Sequence, residues 1–119
     1  MTLSRLKSTV AAIAVLAAIG ARMKSELRGS DLKCRYGGDE FMVILPDTPL
    51  GGARQVSENL RQAMESQPIN WNSEHVRITA SFGVASFPTD ATSKVELVRM
   101  ADQAMYRVKN RTRNGVEGT

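Results

Sequence analysis

The chain reads as one α/β domain of the sandwich type, helices laid on a sheet, and three features predict it. Two stretches, 50–64 and 97–108, carry apolar residues at helical spacing, and between them 76–84 alternates apolar with polar residues as a strand with one buried face does. Ahead of both, the Gly37-Gly38 pair separates two short extended stretches, the second being the apolar run Phe41 to Leu45 that stops at Pro46. With 119 residues and an apolar share of 42%, the chain can bury one modest core and no more.

Taken in order, the expected elements are helix, hairpin, helix, hairpin or bent strand, helix and a short tail strand. The first helix rests on Leu16, Ile19, Met23 and Leu27, a spacing that runs unbroken through Arg22, Lys24 and Arg28. Arg5 and Lys7 followed by the apolar stretch Thr9 to Ala21 also imitate a secretory leader, although the run is too short to cross a bilayer as a helix. The continuous amphipathic spacing favours the helix, and with it a cytoplasmic chain without a stable membrane span. In the hairpin, the glycines let the backbone reverse and place Asp39 and Glu40 at the start of a buried strand. Thr48 is a candidate N-cap with Pro49 at the first helical position. Leu50, Ala53, Val56, Leu60 and Met64 then form one apolar face that Pro68 terminates. Val76, Ile78, Ala80, Phe82 and Val84 line the core side of the next strand. Ser93 with Glu96 forms a capping box, followed at helical spacing by Leu97, Met100, Ala101, Ala104, Met105 and Val108.

Charge and minor residues narrow the chemistry. The 16 Lys and Arg exceed the 12 Asp and Glu by four, which suits an anionic ligand, but they are dispersed, and nucleic acid is not expected as a partner. A lone cysteine, Cys34, excludes an internal disulfide and reads as a small core residue in a strand rather than a nucleophile. His75 has no second His or Cys at ligand spacing and reads as a strand-edge residue, and Trp71 as a loop anchor. No Walker-type loop, Ser/His/Asp arrangement or repeat is present.

The heptad Arg35-Tyr36-Gly37-Gly38-Asp39-Glu40-Phe41 is the chemically richest segment. Glycines without Cβ let a ligand approach the backbone, and two carboxylates beside them offer hard oxygens to a divalent cation, as a metal-bound phosphate requires. Read in isolation, the same tetrapeptide is equally a tight turn with solvated acids.

Its surroundings favour the first reading. The heptad resembles the signature of the GGDEF domain family, the diguanylate cyclases that condense two GTP into cyclic di-GMP. Further blocks follow in the family's order: Pro46-Asp47-Thr48, Thr79 to Ala85, Ala101 to Tyr106 and Lys109 to Asn114. Upstream, Val15 to Ile19 and Leu27 to Asp31 resemble the helix leading into the motif, so residues 15–116 are family-like and 1–14 are divergent. The resemblance implies a palm-like nucleotidyl cyclase fold. It also implies an incomplete one, because Ser8 to Val15 holds none of the Asn, Asp, Gly or His that complete members carry there, and Leu6-Lys7 only faintly matches their Phe-Lys pair. The first strand, with its metal-binding aspartate, and the residues that read guanine have no counterpart.

By the same resemblance, Asp39 and Glu40 would hold Mg2+ or Mn2+ in an incomplete site, and Gly37 and Gly38 would admit the nucleotide. Glu40, Lys109 and Arg113 would serve the reaction, the last two gripping the triphosphate from one helix face, four residues apart. Thr112 stands where the family usually has a glycine, which works against the turn expected there. Arg28 and Asp31 match the family's inhibitory site for cyclic di-GMP, to which a following helix often adds an arginine; here that position falls on Asn59, with Arg61 two residues on. The alternatives are solvated hairpin acids, a basic helix end complementing its dipole and a helix-end ion pair. The expected ligands are GTP and cyclic di-GMP. A homodimer is expected as well, since an apolar strand edge left by the missing strand recruits another chain. The implied function is that of a diguanylate cyclase domain impaired in this chain, the alternative being a catalytically inactive module that binds cyclic di-GMP through Arg28 and Asp31.

Overall fold

The computed structural model describes residues 2–3, 20–35, 40–71 and 74–118. Its elements are β1 (Thr2–Leu3), a helix over 20–26 (α1), β2 (Leu32–Arg35), β3 (Phe41–Ile44), α2 (Leu50–Ser66), β4 (Ile69–Trp71), β5 (Glu74–Val76), β6 (Ala80–Val84), α3 (Lys94–Arg111) and β7 (Val116–Gly118). Among the described residues no helix is long and apolar enough to cross a membrane. Leu16 and Ile19 lie outside the described residues, whereas Met23 is fully buried and Leu27 packs on the core, as the predicted spacing requires.

The strands group as β1-β6-β7, β2-β3 and β4-β5. The predicted first hairpin forms, with Leu32 opposite Ile44 and Arg35 opposite Phe41. Its second strand is half-buried rather than buried: Phe41 and Val43 pack toward the core, while Ile44 points outward and is 51% exposed. Cys34 pairs with Met42 in register and is exposed, which corrects the core assignment. The outward face of this hairpin has no layer over it among the described residues. Trp71 belongs to β4, which pairs with β5 in a second hairpin, rather than to a loop.

The stretch 76–84 is not one strand. β5 ends at Val76, 77–79 carry no strand, and β6 starts at Ala80. Nor is β6 half-exposed, for Ala80, Ser81, Phe82 and Val84 are all buried. Its two faces meet different helices. On one, Ala80 and Phe82 join Met23 of α1, Leu60 and Met64 of α2, and Ile69 and Ile78 in the main cluster; each fully buried large side chain contributes about 1.5–3 kcal/mol. On the other, Gly83 lies against the α3 backbone so closely that a Cβ there would stand 1.8 Å from Ala101 O and 2.5 Å from Met105 N.

The helix ends show how local chemistry sets the boundaries. Ser93 caps α3 by accepting from the Glu96 N–H at 3.2 Å, as predicted, while the Glu96 carboxylate takes hydrogen bonds from Arg99. Thr48 does not cap α2. Pro49 occupies the cap position without a side-chain bond, and the Thr48 hydroxyl donates to Pro46 O instead. At the other end of α2, Gln67 turns extended ahead of Pro68, and Arg22 of α1 covers the open carbonyls by donating to Ala63 O and, at 2.7 Å, to Gln67 O. After α3 the chain does turn without the family's glycine. Thr112 and Arg113 both donate to Val108 O, and Arg113 and Asn114 take left-handed φ of 53° and 48°. β7 then returns parallel to β6, Phe82 facing Val116, and Arg107 and Arg111 both bind Glu117 from α3.

Two stability outcomes are expected. Gly83→Ala must drive α3 off β6 and should cost about 3 kcal/mol or more, read as a collapse of the thermal unfolding midpoint. Arg113→Gly relieves a left-handed side-chain residue and should stabilise by about 1 kcal/mol, read as a raised denaturant midpoint with unchanged slope.

Candidate functional site

Two places in this framework carry the predicted site residues. The first is a cleft of about 620 Å³ between β3 and β6. Phe41 to Leu45 form one long side and Phe82 to Val84 the other, with Val56 and Leu60 of α2 and Leu97, Ala101 and Met105 of α3 closing it. Its polar lining includes Glu40, Asp47, Lys94 and Asp102. Glu40 is half-buried and is the one predicted metal residue among the described residues, since Gly37, Gly38 and Asp39 lie outside them. A magnesium ion needs near-octahedral oxygen ligands. The described residues contain no group of three or more His, Cys, Asp or Glu side chains placed to hold such an ion, and Asp39, the other predicted ligand, lies outside them.

Lys109 and Arg113 do not share a helix face. α3 ends at Arg111, and Arg113 lies two residues later in the left-handed turn, so four-residue spacing no longer brings the two side chains together. The Lys109 ammonium sits 5.5 Å from the ring centre of Tyr106, a cation–π contact one turn back on its own helix. Neither residue lines the cleft that Glu40 lines. His75 is exposed in the middle of β5, opposite Asn70 in the β4–β5 pair, a surface position on a strand as expected.

The second place is the turn after α1, where Arg28 and Asp31 do meet. Asp31 N donates to Arg28 O at 3.0 Å, closing the turn, and Arg28 N donates to Asp31 Oδ2 at 2.8 Å. The guanidinium grips the same carboxylate, with Nη2 at 2.8 Å from Oδ1 and Nε at 3.2 Å. Asp31 is thereby sealed, its side chain 1% exposed, while that of Arg28 is 54% exposed. Arg28 Nη2 also reaches Pro46 O at 2.9 Å and the Thr48 hydroxyl at 2.7 Å. Sequence reasoning missed both partners, because Thr48 followed by Pro49 reads as a helix start. The signal was the Pro46 carbonyl, left without a ladder partner where β3 ends.

Hydrogen bonding to Arg28 holds the Asp31 carboxyl below the usual carboxylate range and raises the Arg28 guanidinium further above its own. Asn59 accepts from Gln55. Arg61 does not extend the site, being bound to Glu58, Glu65 and Asn114, where it ties α2 to the turn after α3.

Known proteins share this fold and much of this sequence. The family model described as "Diguanylate cyclase, GGDEF domain" matches residues 12–115. Response regulator PleD of Caulobacter vibrioides is 36% identical over 106 residues, covering 87% of this chain and 23% of that protein. Diguanylate cyclase A of Treponema denticola is 36% identical over 102 residues, covering 86% of this chain and 28% of that protein. The chain therefore spans about a quarter of the length of these curated relatives. Among solved structures, the GGDEF domain of PA1120 (YfiN or TpbB) from Pseudomonas aeruginosa superposes with a TM-score of 0.84 at 33% identity, covering 90% of this chain and 67% of that one. The GGDEF domain of DgcB from Caulobacter crescentus, solved in complex with c-di-GMP, gives 0.78 at 26% identity, covering 88% and 63%.

The pair generates a titration outcome. Because the folded-state value of Asp31 is depressed, its contribution to stability is complete above the ordinary value of 3.8 and is lost as the pH falls through the lower, folded one. In a carboxyl-carbon NMR titration Asp31 should show a midpoint below 3.8, and Arg28→Ala should move it back up. An unchanged midpoint in the variant would show that the hydrogen bonds are not made in solution.

Proposed function

The chain belongs to the GGDEF domain family, and from that premise we propose that it serves cyclic di-GMP signalling through the Arg28–Asp31 site while the family's reaction is impaired in it. That reaction joins two GTP into cyclic di-GMP with release of two pyrophosphates. Each domain binds one GTP, so two domains must face each other, the 3′-hydroxyl of one nucleotide attacking the α-phosphate of the other. A homodimer is the form in which such half-sites meet. Mg2+ or Mn2+, when bound, would offset charge on the phosphates.

The observation that supports the impaired reading is that Ser8 to Val15 holds none of the Asn, Asp, Gly or His that complete members carry there, their first metal-binding aspartate included. Glu40 lines the β3–β6 cleft, Lys109 sits over Tyr106 on α3, and Arg113 stands in a turn beyond the helix. In-line transfer depends on positioning worth roughly 7–11 kcal/mol, and a site without the first carboxylate and the base-reading residues forfeits most of it. The binding reading is favoured by the opposite circumstance, since Arg28 and Asp31 are already together. Nε and Nη2 of Arg28 are engaged by Asp31, Pro46 and Thr48, so a guanine edge or a phosphate would be met by the Nη1 donors of the half-exposed guanidinium. A relative's GGDEF domain was solved with c-di-GMP, which supports a ligand of this class.

Two measurements test the proposal. Purified protein incubated with GTP and Mg2+ or Mn2+ should yield no cyclic di-GMP by chromatography. Product that disappears with Glu40→Gln would refute the impairment. Calorimetry with cyclic di-GMP should show binding of about micromolar strength at best, weakened about tenfold or more by Arg28→Ala. Absence of heat with the unaltered chain would refute the binding role.

A further inference from the structure

Arg28 is held from two sides, and the second lies outside its own turn. Asp31 Oδ1 takes Nη2 at 2.8 Å and Nε at 3.2 Å, which pins one edge of the guanidinium but leaves its plane able to tilt about that edge. The remaining Nη2 hydrogen points to the segment Pro46-Asp47-Thr48, with Thr48 Oγ1 at 2.7 Å and Pro46 O at 2.9 Å. Asp47, at a left-handed φ of 50°, turns the chain between these two oxygens. The Thr48 hydroxyl gives its own hydrogen to Pro46 O at 2.9 Å, so toward Arg28 it can only accept. Its methyl lies over Gly52, where a Cβ would stand 3.0 Å from Thr48 Cγ2. None of this serves α2, whose cap position is Pro49 without a side-chain bond.

Building on the cyclic di-GMP-binding role given above, we propose that Thr48 is a positioning residue of the Arg28–Asp31 site, its hydroxyl fixing the tilt of the guanidinium so that Nη1 meets the ligand from one direction. Among the described residues Nη1 makes no hydrogen bond, and it is the end of the fork left for a ligand on a side chain that is 54% exposed. A guanidinium hinged on Asp31 alone would have to be ordered by the ligand, at a cost in affinity. One braced by Thr48 is ordered beforehand, and the Pro46 carbonyl polarises the hydroxyl that braces it.

The test is calorimetry with cyclic di-GMP on the full chain, comparing Thr48→Val, which keeps the shape and removes the acceptor, with Thr48→Ser, which keeps the hydroxyl. Thr48→Val should weaken binding about tenfold, and Thr48→Ser at most about threefold. In Thr48→Val the Asp31 carboxyl should still titrate by NMR with a midpoint below 3.8, because its bonds from Arg28 Nε and the Arg28 amide do not involve Thr48. Equal binding by Thr48→Val and the unaltered chain overturns the assignment and leaves the binding role standing, whereas an unaltered chain that gives no heat removes both. An equal loss in the two variants overturns it as well, by showing that the hydroxyl is not what matters. So does an Asp31 midpoint raised in Thr48→Val to the Arg28→Ala value, which would make Thr48 a prop of the whole turn.

Discussion

Position 83 sets the spacing of the whole fold. Only a residue without Cβ lets the α3 backbone rest on β6, with Ala101 O where a methyl group would otherwise stand. From that contact follow the burial of Ala104, Met105 and Val108 along α3, the short return to β7 and the parallel pairing of β7 with β6. The opposite face of β6 is then free to receive α1 and α2 through Ala80 and Phe82. Strand β6 is thus the middle layer of a sandwich, and β7 beside it also meets both α2 and α3.

Polar contacts do for the periphery what this packing does for the centre. Arg22 closes the end of α2, Arg61 ties α2 to the turn after α3, and Arg107 with Arg111 holds Glu117 of β7. The excess of basic residues is therefore partly structural, with arginine forks spent on carbonyls and carboxylates at the joints between elements. Arg28 belongs to the same group. It fastens the turn after α1 to Pro46 and Thr48 beyond β3, so the one assembled site is also a joint.

What could be read from the chain was whatever depends on near neighbours. Helical spacing placed Leu60, Met64, Ala104 and Val108 inside, Pro68 ended α2, and Ser93 capped α3, because each effect acts within one or two turns. Features needing a distant partner were hidden. Ser81 is buried because its hydroxyl meets the Asn114 N–H from another element, so a polar residue on the supposed outer face gave the wrong exposure for β6. Thr48 looked like a cap because Arg28, its actual partner, is twenty residues away. Cys34 looked buried because strand alternation says which residues share a face and not which face the core will cover. Lys109 and Arg113 were legible as residue types, but their separation depends on where α3 stops, which two left-handed residues decide.

The pairing of β1 with β6 bears on the order in which the molecule assembles. Thr2 and Ser81 are roughly eighty residues apart in sequence, and among the described residues two pairs join β1 to β6. Closing so long a loop costs chain entropy that two pairs repay poorly. The β6–α3–β7 unit, by contrast, joins contiguous chain through a buried helix. Such a unit is expected to form early, with β1 joining last and detaching first, so the N-terminal strand behaves as a latch on a finished domain rather than as its foundation.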